Sequence, residues 1–248
     1  MRPCCCWPGW GCEPAKWGTC AWRTSTGPAA KCSSGEKAPD LYSDREVAQL
    51  IEAAQKIPSP KGLRAATYWT LFGLLAVTGM RRGEALGLDR HDVDLDQGLL
   101  KVRQAKFNKS RGVPIHPTTQ GKLQEYRRRR DRIFPHPQSP SFLLSERGTR
   151  LTGCVARYWF IRLSHQIGLR RPTDHQGPRM HDLRHRFVIR TLRHWYRTNK
   201  DVEAPLPELA TYIGHGHVSD TYWYISATPE LLQLATKRLE RKHGAPLS

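Results

Sequence analysis

The segment AATYWTLFGLLAVTG, residues 65–79, is apolar on nearly every side. As a helix it has no face to give to water, so other elements must surround it. A chain that carries it needs a substantial core. The 38% hydrophobic content, with 8 Trp, 8 Tyr and 6 Phe, can supply one. The longest apolar run here, YWTLFGLLAVTGM, falls short of the roughly 20 residues that span a bilayer. It therefore reads as a buried helix. The N-terminus lacks the basic-then-apolar layout of a secretory signal. A cytoplasmic protein with no membrane partner is expected.

Other elements can be placed around this helix. Ser43 and Glu46 fit a capping box at a helix start, and Val47, Leu50, Ile51 and Ala54 mark the apolar face that follows. A third, short helix is expected over RRGEALGL. Then the period changes. GLLKVRQAKFNKSRGVPIHP reads as two strands around the polar turn FNKS. TTQGKLQEYRRRRDRIF returns to helix, with Arg127 to Arg130 as a solvated face that on DNA could instead reach phosphates. SFLLS reads as a short strand. CVARYWFIRLSHQIGL, RMHDLRHRFVIRTLRHWYR, LPELATYIGH and TPELLQLATKRLERKHG read as helices, and the DTYWY stretch as a loop. The expected fold class is α+β: mostly helical, with a small antiparallel β-sheet after the third helix.

Six of the seven cysteines fall in the first 32 residues: Cys4, Cys5, Cys6, Cys12, Cys20 and Cys32. The run CCC is poor geometry for a Cys-x-x-Cys zinc clamp, and no second clamp follows. Residues 1–36 are expected to be a disordered or non-native Cys/Gly/Pro-rich leader. The folded domain is expected over residues 37–248.

The charge narrows the function. Lys and Arg number 40 against 22 Asp and Glu, a formal net charge of +18. Such an excess favours a polyanion, nucleic acid before a membrane surface. Four segments carry candidate chemistry. In TGMRRGE, Glu84 lies three residues after Arg81, close enough to pair with it on a helix turn. In AKFNKSRGVP, Lys106 and Lys109 flank a hairpin turn. In HDLRHRF, His181, Arg184 and His185 share one helical face. Histidines at i and i+4 also suit a metal, but Asp182 stands where a general-base Glu would be, and Arg184 would set a permanent cation beside a dication. A guanidinium fork with an imidazole suits a phosphate better. In YIGHGHVSDTYWYIS, His215 follows a helix-ending glycine, and Tyr224 comes nine residues after it. Singly, each segment has an ordinary structural reading.

Together, in this order, the four resemble the catalytic domain of the tyrosine recombinase (phage integrase) family. That family's pattern is T-G-x-R-x-x-E, a hairpin Lys, H-x-x-R, then G-H with a Tyr nine residues after that His. The resemblance spans roughly residues 39–244. It implies Tyr224 as nucleophile, with Arg81 and Arg184 clamping the scissile phosphate. It implies Lys106 as the acid for the leaving 5′ oxygen, His181 assisting proton transfer at the tyrosine, and His215 bonding the phosphate. Glu84 would orient the Arg81 region. Arg82, Lys109 and Arg111 are expected on DNA. Among the neighbouring tyrosines, Tyr222 is the rival for Tyr224, and Tyr212 reads as core. Trp223 reads as packing or as a phosphate donor. No metal or cofactor is expected.

The implied function is a site-specific DNA recombinase that cleaves and rejoins double-stranded DNA through a 3′-phosphotyrosyl link. The implied assembly is a homotetramer on DNA, or a pairing with a partner recombinase. Family members usually carry an N-terminal helical domain that completes a clamp on DNA. It is expected to be absent here, which leaves a second reading, a truncated DNA-binding remnant that cannot complete recombination. In the last helix Leu231, Leu232, Leu234, Ala235 and Leu239 lie on or near one side. That side either packs on its own domain or docks on a neighbouring subunit.

Overall fold

The computed structural model describes residues 42–105, 109–171, 173, 177–198 and 202–243. The cysteine-rich leader, Lys106 and the tip of the hairpin lie outside the described residues.

The capping box forms as the sequence requires: the Ser43 side chain accepts from the Glu46 amide, and Glu46 accepts from the Ser43 amide. It opens α1 (Asp44–Gln55). The apolar segment becomes α2 (Leu63–Thr78), packed against α1, a long helix α4 (Pro117–Ile133) and α6 (Asp182–Thr198). An aromatic cluster closes around it. Phe72 meets Phe160 edge-on at 5.9 Å, and Tyr68 lies 5.9 Å from Trp159. Such burial is the main source of stability for a helix that water would reject. Gly79 ends α2 in the left-handed region (φ 62°), and α3 (Arg82–Gly87) starts soon after.

The small sheet follows α3, in the order β1 (Val93–Asp94), β2 (Leu99–Ala105), β3 (Lys109–Pro114), antiparallel throughout. Leu100 pairs with Val113 and Val102 with Arg111; the register then shifts before Ala105 pairs with Lys109. Side chains alternate across a strand, so Leu100, Val102, Val113 and Arg111 share the face turned to the core.

Beyond α4, α5 (Gly153–Gln166) starts on Thr152, whose hydroxyl accepts from the Val155 amide. Then come α6, α7 (Leu206–Ile213), α8 (Ser219–Ala227) and α9 (Pro229–His243). α9 packs on α6 and α8. Leu231 is buried there, whereas Leu232 and Leu239 stay outside. Glu230 accepts ion pairs from Arg193 and Arg197 of α6 at 3.0 and 2.9 Å.

Three expectations need correction. Ser141–Ser145 is not a strand and makes only isolated bridges, Asp89 to Ser141 and Leu144 to Arg150. Its Phe142 and Ser145 amides donate to the Leu88 and Thr149 carbonyls, and side chains satisfy much of the rest. Tyr126 Oη accepts from the Leu144 amide (3.1 Å), Thr67 Oγ1 donates to the Leu144 carbonyl (2.8 Å), and Arg130 Nη1 donates to the Phe142 carbonyl (3.0 Å). For the same reason Arg127–Arg130 is not wholly a solvated face: Arg130 is buried, with its guanidinium 5.2 Å from the Phe142 ring centre. The DTYWY stretch is the helix α8, not a loop.

Gly79 has no room for a side chain. A Cβ there would lie 2.4 Å from Phe187 Cδ1, at a φ that L-residues avoid. Gly79→Ala is expected to lower unfolding stability by roughly 2 kcal/mol or more, measured by denaturant titration. A loss under about 0.5 kcal/mol would show that α6 yields freely at this point.

Candidate active site

Two helices ending in left-handed glycines, and one helix beginning, bring the candidate residues together. Arg81 follows Gly79 as the extended residue before α3, with φ −67° and ψ 145°. Gly214 ends α7 with φ 73°, and His215 follows. His181 stands just ahead of α6, with Arg184 and His185 in its first turn. Tyr224 comes from α8.

Glu84 joins two of the arginines. It accepts from the Arg81 amide at 2.8 Å and from Arg81 Nη1 at 3.0 Å. Arg111 reaches both of its oxygens, Nη1 to Oε1 at 3.0 Å and Nη2 to Oε2 at 2.8 Å. Burial pushes the Glu84 carboxyl up, but hydrogen bonds and charge from Arg111, helped by Arg81, hold it below the usual carboxylate range. Arg81 Nη2 donates to the Gly214 carbonyl at 2.7 Å, and Arg111 Nε to the Tyr212 carbonyl at 2.8 Å.

Arg184 is 3% exposed. Its Nη1 donates to the Gly79 carbonyl at 2.9 Å, while its buried Nη2 has no hydrogen-bond partner. Burial, then the neighbouring charge of Arg81, lowers its pKa to about 10. It stays a cation at neutral pH, and a buried donor without a partner is costly.

Tyr224 is 3% exposed and Tyr222 49%. Two residues on a helix point about 200° apart, so α8 turns one inward and the other out. The Tyr224 hydroxyl lies 2.9 Å from His185 Nδ1. The His215 ring lies nearly parallel to the Tyr224 ring, at 9° and 6.1 Å, and its Nδ1 meets Thr221 Oγ1 at 3.0 Å. His181 meets His185 edge-on at 4.7 Å. Tyr212 is core, stacked on Phe187 at 5.7 Å, and burial raises its pKa.

His185 is the site residue that the sequence reading left without a role. Its signal was the His-x-x-x-His spacing itself, which puts it on the same face as His181. Arg82 is exposed next to the site. Lys106 lies outside the described residues, and of Lys109 only the backbone is described, paired with Ala105. Arg111, a candidate for DNA contact, instead turns inward onto Glu84, its side chain 10% exposed.

Asp89, His91 and Asp92 could approach a metal ion, their ligand atoms all within 4.8 Å of one another. Asp92 is already paired with Arg103 at 2.5 Å and Asp89 with Arg150, which offsets the charge a dication would need. They belong to the turn before β1, not to the helices that carry Tyr224.

Burial, then the charge of His181, lowers the pKa of His185 to about 4. Burial, then Arg184 and Arg81, lowers that of His215 to about 3. An unfolded chain protonates histidine near pH 6.5. Below that value the unfolded state binds more protons than the folded one, so stability falls as pH drops toward the folded values. Thermal melts from pH 7.5 to 4.5 are expected to show Tm declining below about pH 6.5, less steeply in His215→Gln. Equal slopes would mean that His215 titrates normally in the folded protein.

Residues 41–230 match the model of the phage integrase family. A protein of Sinorhizobium fredii named as integrase/recombinase y4rB is 46% identical over 208 residues, covering 82% of this chain and 66% of its own length. This chain thus spans just under two thirds of that relative. Among solved structures, the XerA recombinase superposes with a TM-score of 0.62 at 23% identity, over 86% of this chain and 67% of that one. XerH recombinase bound to its palindromic difH substrate superposes with a TM-score of 0.60 at 23% identity, over 80% and 53%. At that identity the superpositions speak for the fold alone. The family match covers most of the chain and agrees with the helical fold and its three-stranded sheet: the chain belongs to the phage integrase family, as a tyrosine recombinase catalytic domain.

Proposed function

We propose that this chain cuts and rejoins double-stranded DNA at a specific site through a covalent bond between Tyr224 and a 3′ phosphate. The observation that carries the reading is the hydroxyl of buried Tyr224, held 2.9 Å from a neutral His185 beside Arg184.

A phosphodiester repels nucleophiles, and each tenfold in rate needs about 1.4 kcal/mol off the barrier. Fixed donors aimed at the charge that builds on the phosphate are usually the largest single contribution. In this reading Arg81 and Arg184 are those donors, and the unpaired Nη2 of Arg184 gains the acceptor it lacks. His215 adds a further hydrogen bond. In the forward step the Tyr224 oxygen attacks phosphorus and its proton passes to His185 Nδ1. The bond from phosphorus to the 5′ oxygen breaks, and that oxygen takes a proton from Lys106, a role resting on the resemblance. In the reverse step a 5′ hydroxyl attacks the phosphotyrosine and phenolate leaves. With a phenol pKa of about 10, tyrosine is a fair leaving group, so the bond energy is kept and no nucleotide is consumed.

The histidine on the nucleophile in this reading is His185, with His181 at its edge. Exposed Arg82 extends the basic surface to the flanking duplex, where phosphate contacts set much of the affinity; a DNA contact by Lys109 rests on the sequence alone. Assembly into a tetramer on DNA, or pairing with a second recombinase, belongs to the same proposal.

The test uses a nicked duplex drawn from the DNA flanking the gene, in EDTA, with covalent adducts read on a denaturing gel. Wild type and Tyr222→Phe are expected to form the adduct and Tyr224→Phe none. Loss in Tyr222→Phe alone would move the nucleophile. Cleavage that leaves free ends without an adduct, and that EDTA abolishes, would point to a metal nuclease. DNA binding without any adduct would favour the non-cleaving remnant.

His185→Gln keeps a polar side chain but no basic nitrogen. It is expected to slow adduct formation by about 10²–10⁴-fold, the range for a general base, with DNA binding unchanged. A rate within threefold of wild type would remove His185 from the proton path.

A further inference from the structure

Arg111 is on β3, the edge of the sheet, and its hydrogen bonds go to Glu84 and the Tyr212 carbonyl, not to Tyr224, Arg184 or His215. It nonetheless joins three separate segments. Two of its nitrogens hold both oxygens of Glu84 at 3.0 and 2.8 Å, and its Nε holds the Tyr212 carbonyl at 2.8 Å. Its guanidinium also lies flush against Gly214: a Cβ there would be 2.6 Å from Nη1. Glu84 in turn holds Arg81, and Arg81 donates to the Gly214 carbonyl at 2.7 Å. The result is a closed ring of contacts running from Arg111 to Glu84, Arg81, Gly214 and back.

We infer that Arg111 is a positioning residue for DNA cleavage, locking Arg81 and the Gly214–His215 turn into the geometry that receives the scissile phosphate. The inference rests on the reaction proposed above for this site. Arg81 is 28% exposed and long enough to swing. Alone, Glu84 could follow it. Arg111 fixes Glu84 from the buried side, so Arg81 turns about an anchored carboxylate. The left-handed Gly214 leaves the room in which the guanidinium lies, so the helix end and the arginine specify each other. A lysine cannot replace it, because one ammonium cannot span both Glu84 oxygens and the Tyr212 carbonyl.

The test compares wild type, Arg111→Met and Arg111→Lys as full chains, at a temperature where circular dichroism shows all three folded. Both variants are expected to bind the nicked duplex from the gene's flanking DNA within threefold of wild type. Both are expected to form the covalent adduct about 10–100-fold more slowly, the scale of an ångström-sized misplacement. In a double-mutant cycle with Arg81→Lys, the combined loss is expected to be well below the product of the single losses. Independent multiplication, a rate within twofold of wild type, or affinity falling in step with the rate would each overturn the proposal, the last by making Arg111 a DNA contact. A second arm needs no activity. By NMR, amide exchange at Gly214 and His215 is expected to rise at least tenfold in Arg111→Met, while amides in the middle of α2 hold steady. Unchanged exchange at Gly214 and His215 overturns the proposal. If wild type forms no adduct, the proposed reaction fails, and the exchange arm still decides whether Arg111 locks this turn.

Discussion

The site depends on one buried carboxylate. Arg81, Arg111 and Arg184 converge from three parts of the chain. Like charges brought together out of water repel strongly, because the medium screens them poorly. Glu84, with 8% of its side chain exposed, takes the hydrogen bonds of two of them. Removing one partner from a buried pair typically costs about 3–5 kcal/mol, most of it the penalty of the charge left behind. The third arginine, Arg184, is held by a backbone carbonyl instead. It keeps a donor without a partner, so an anion has most to gain there.

The backbone around this carboxylate is organised by helix ends. Gly79 and Gly214 both adopt positive φ, and the carbonyl of each accepts a hydrogen bond from a site arginine. The chain turns sharply at each glycine, so Arg81 and His215 enter the site within two residues of a helix-ending glycine. Rigidity comes from α2, most of whose residues are buried, and from α6, which lies against it. Groups that must stand in one geometry are thus mounted on the elements least free to move.

Much of this was legible in the sequence, for physical reasons. The buried character of α2 follows from its apolar girth, and the capping box at Ser43 from two side chains at fixed spacing. The approach of Arg81, Arg184, His215 and Tyr224 was implied by ordered motifs and by the resemblance they carry, not by any local pattern. What stayed hidden was tertiary. Arg130 looks like one of four solvated arginines, because the carbonyl it satisfies lies in an irregular segment that no period announces. SFLLS has strand-like composition but makes single bridges and side-chain bonds rather than pairing along a strand. DTYWY lacks an amphipathic stripe, so its helix could not be seen. Arg111 was within reach: pairing Val102 with Arg111 across the hairpin puts it on the inward face beside Val113, and an inward arginine needs a carboxylate.

The same electrostatics bear on how proton transfer could be timed. In the free protein burial, reinforced by nearby positive charge, keeps His185 and His215 neutral far below the pH at which imidazole ordinarily titrates. A neutral His185 can accept a proton, but in that field it is a weak base. On the proposed reading, a phosphate seated between Arg81 and Arg184 brings a negative charge to the place where the field originates. It offsets the arginines and raises the basicity of both imidazoles. The substrate then strengthens the base that takes the proton from Tyr224, and the tyrosine is called on only when a phosphate is there to be attacked. A tyrosine left on the surface, as Tyr222 is, would have no such coupling to the arginines. Burial of Tyr224 is thus consistent with its use as a nucleophile, since the groups that would activate it act at short range.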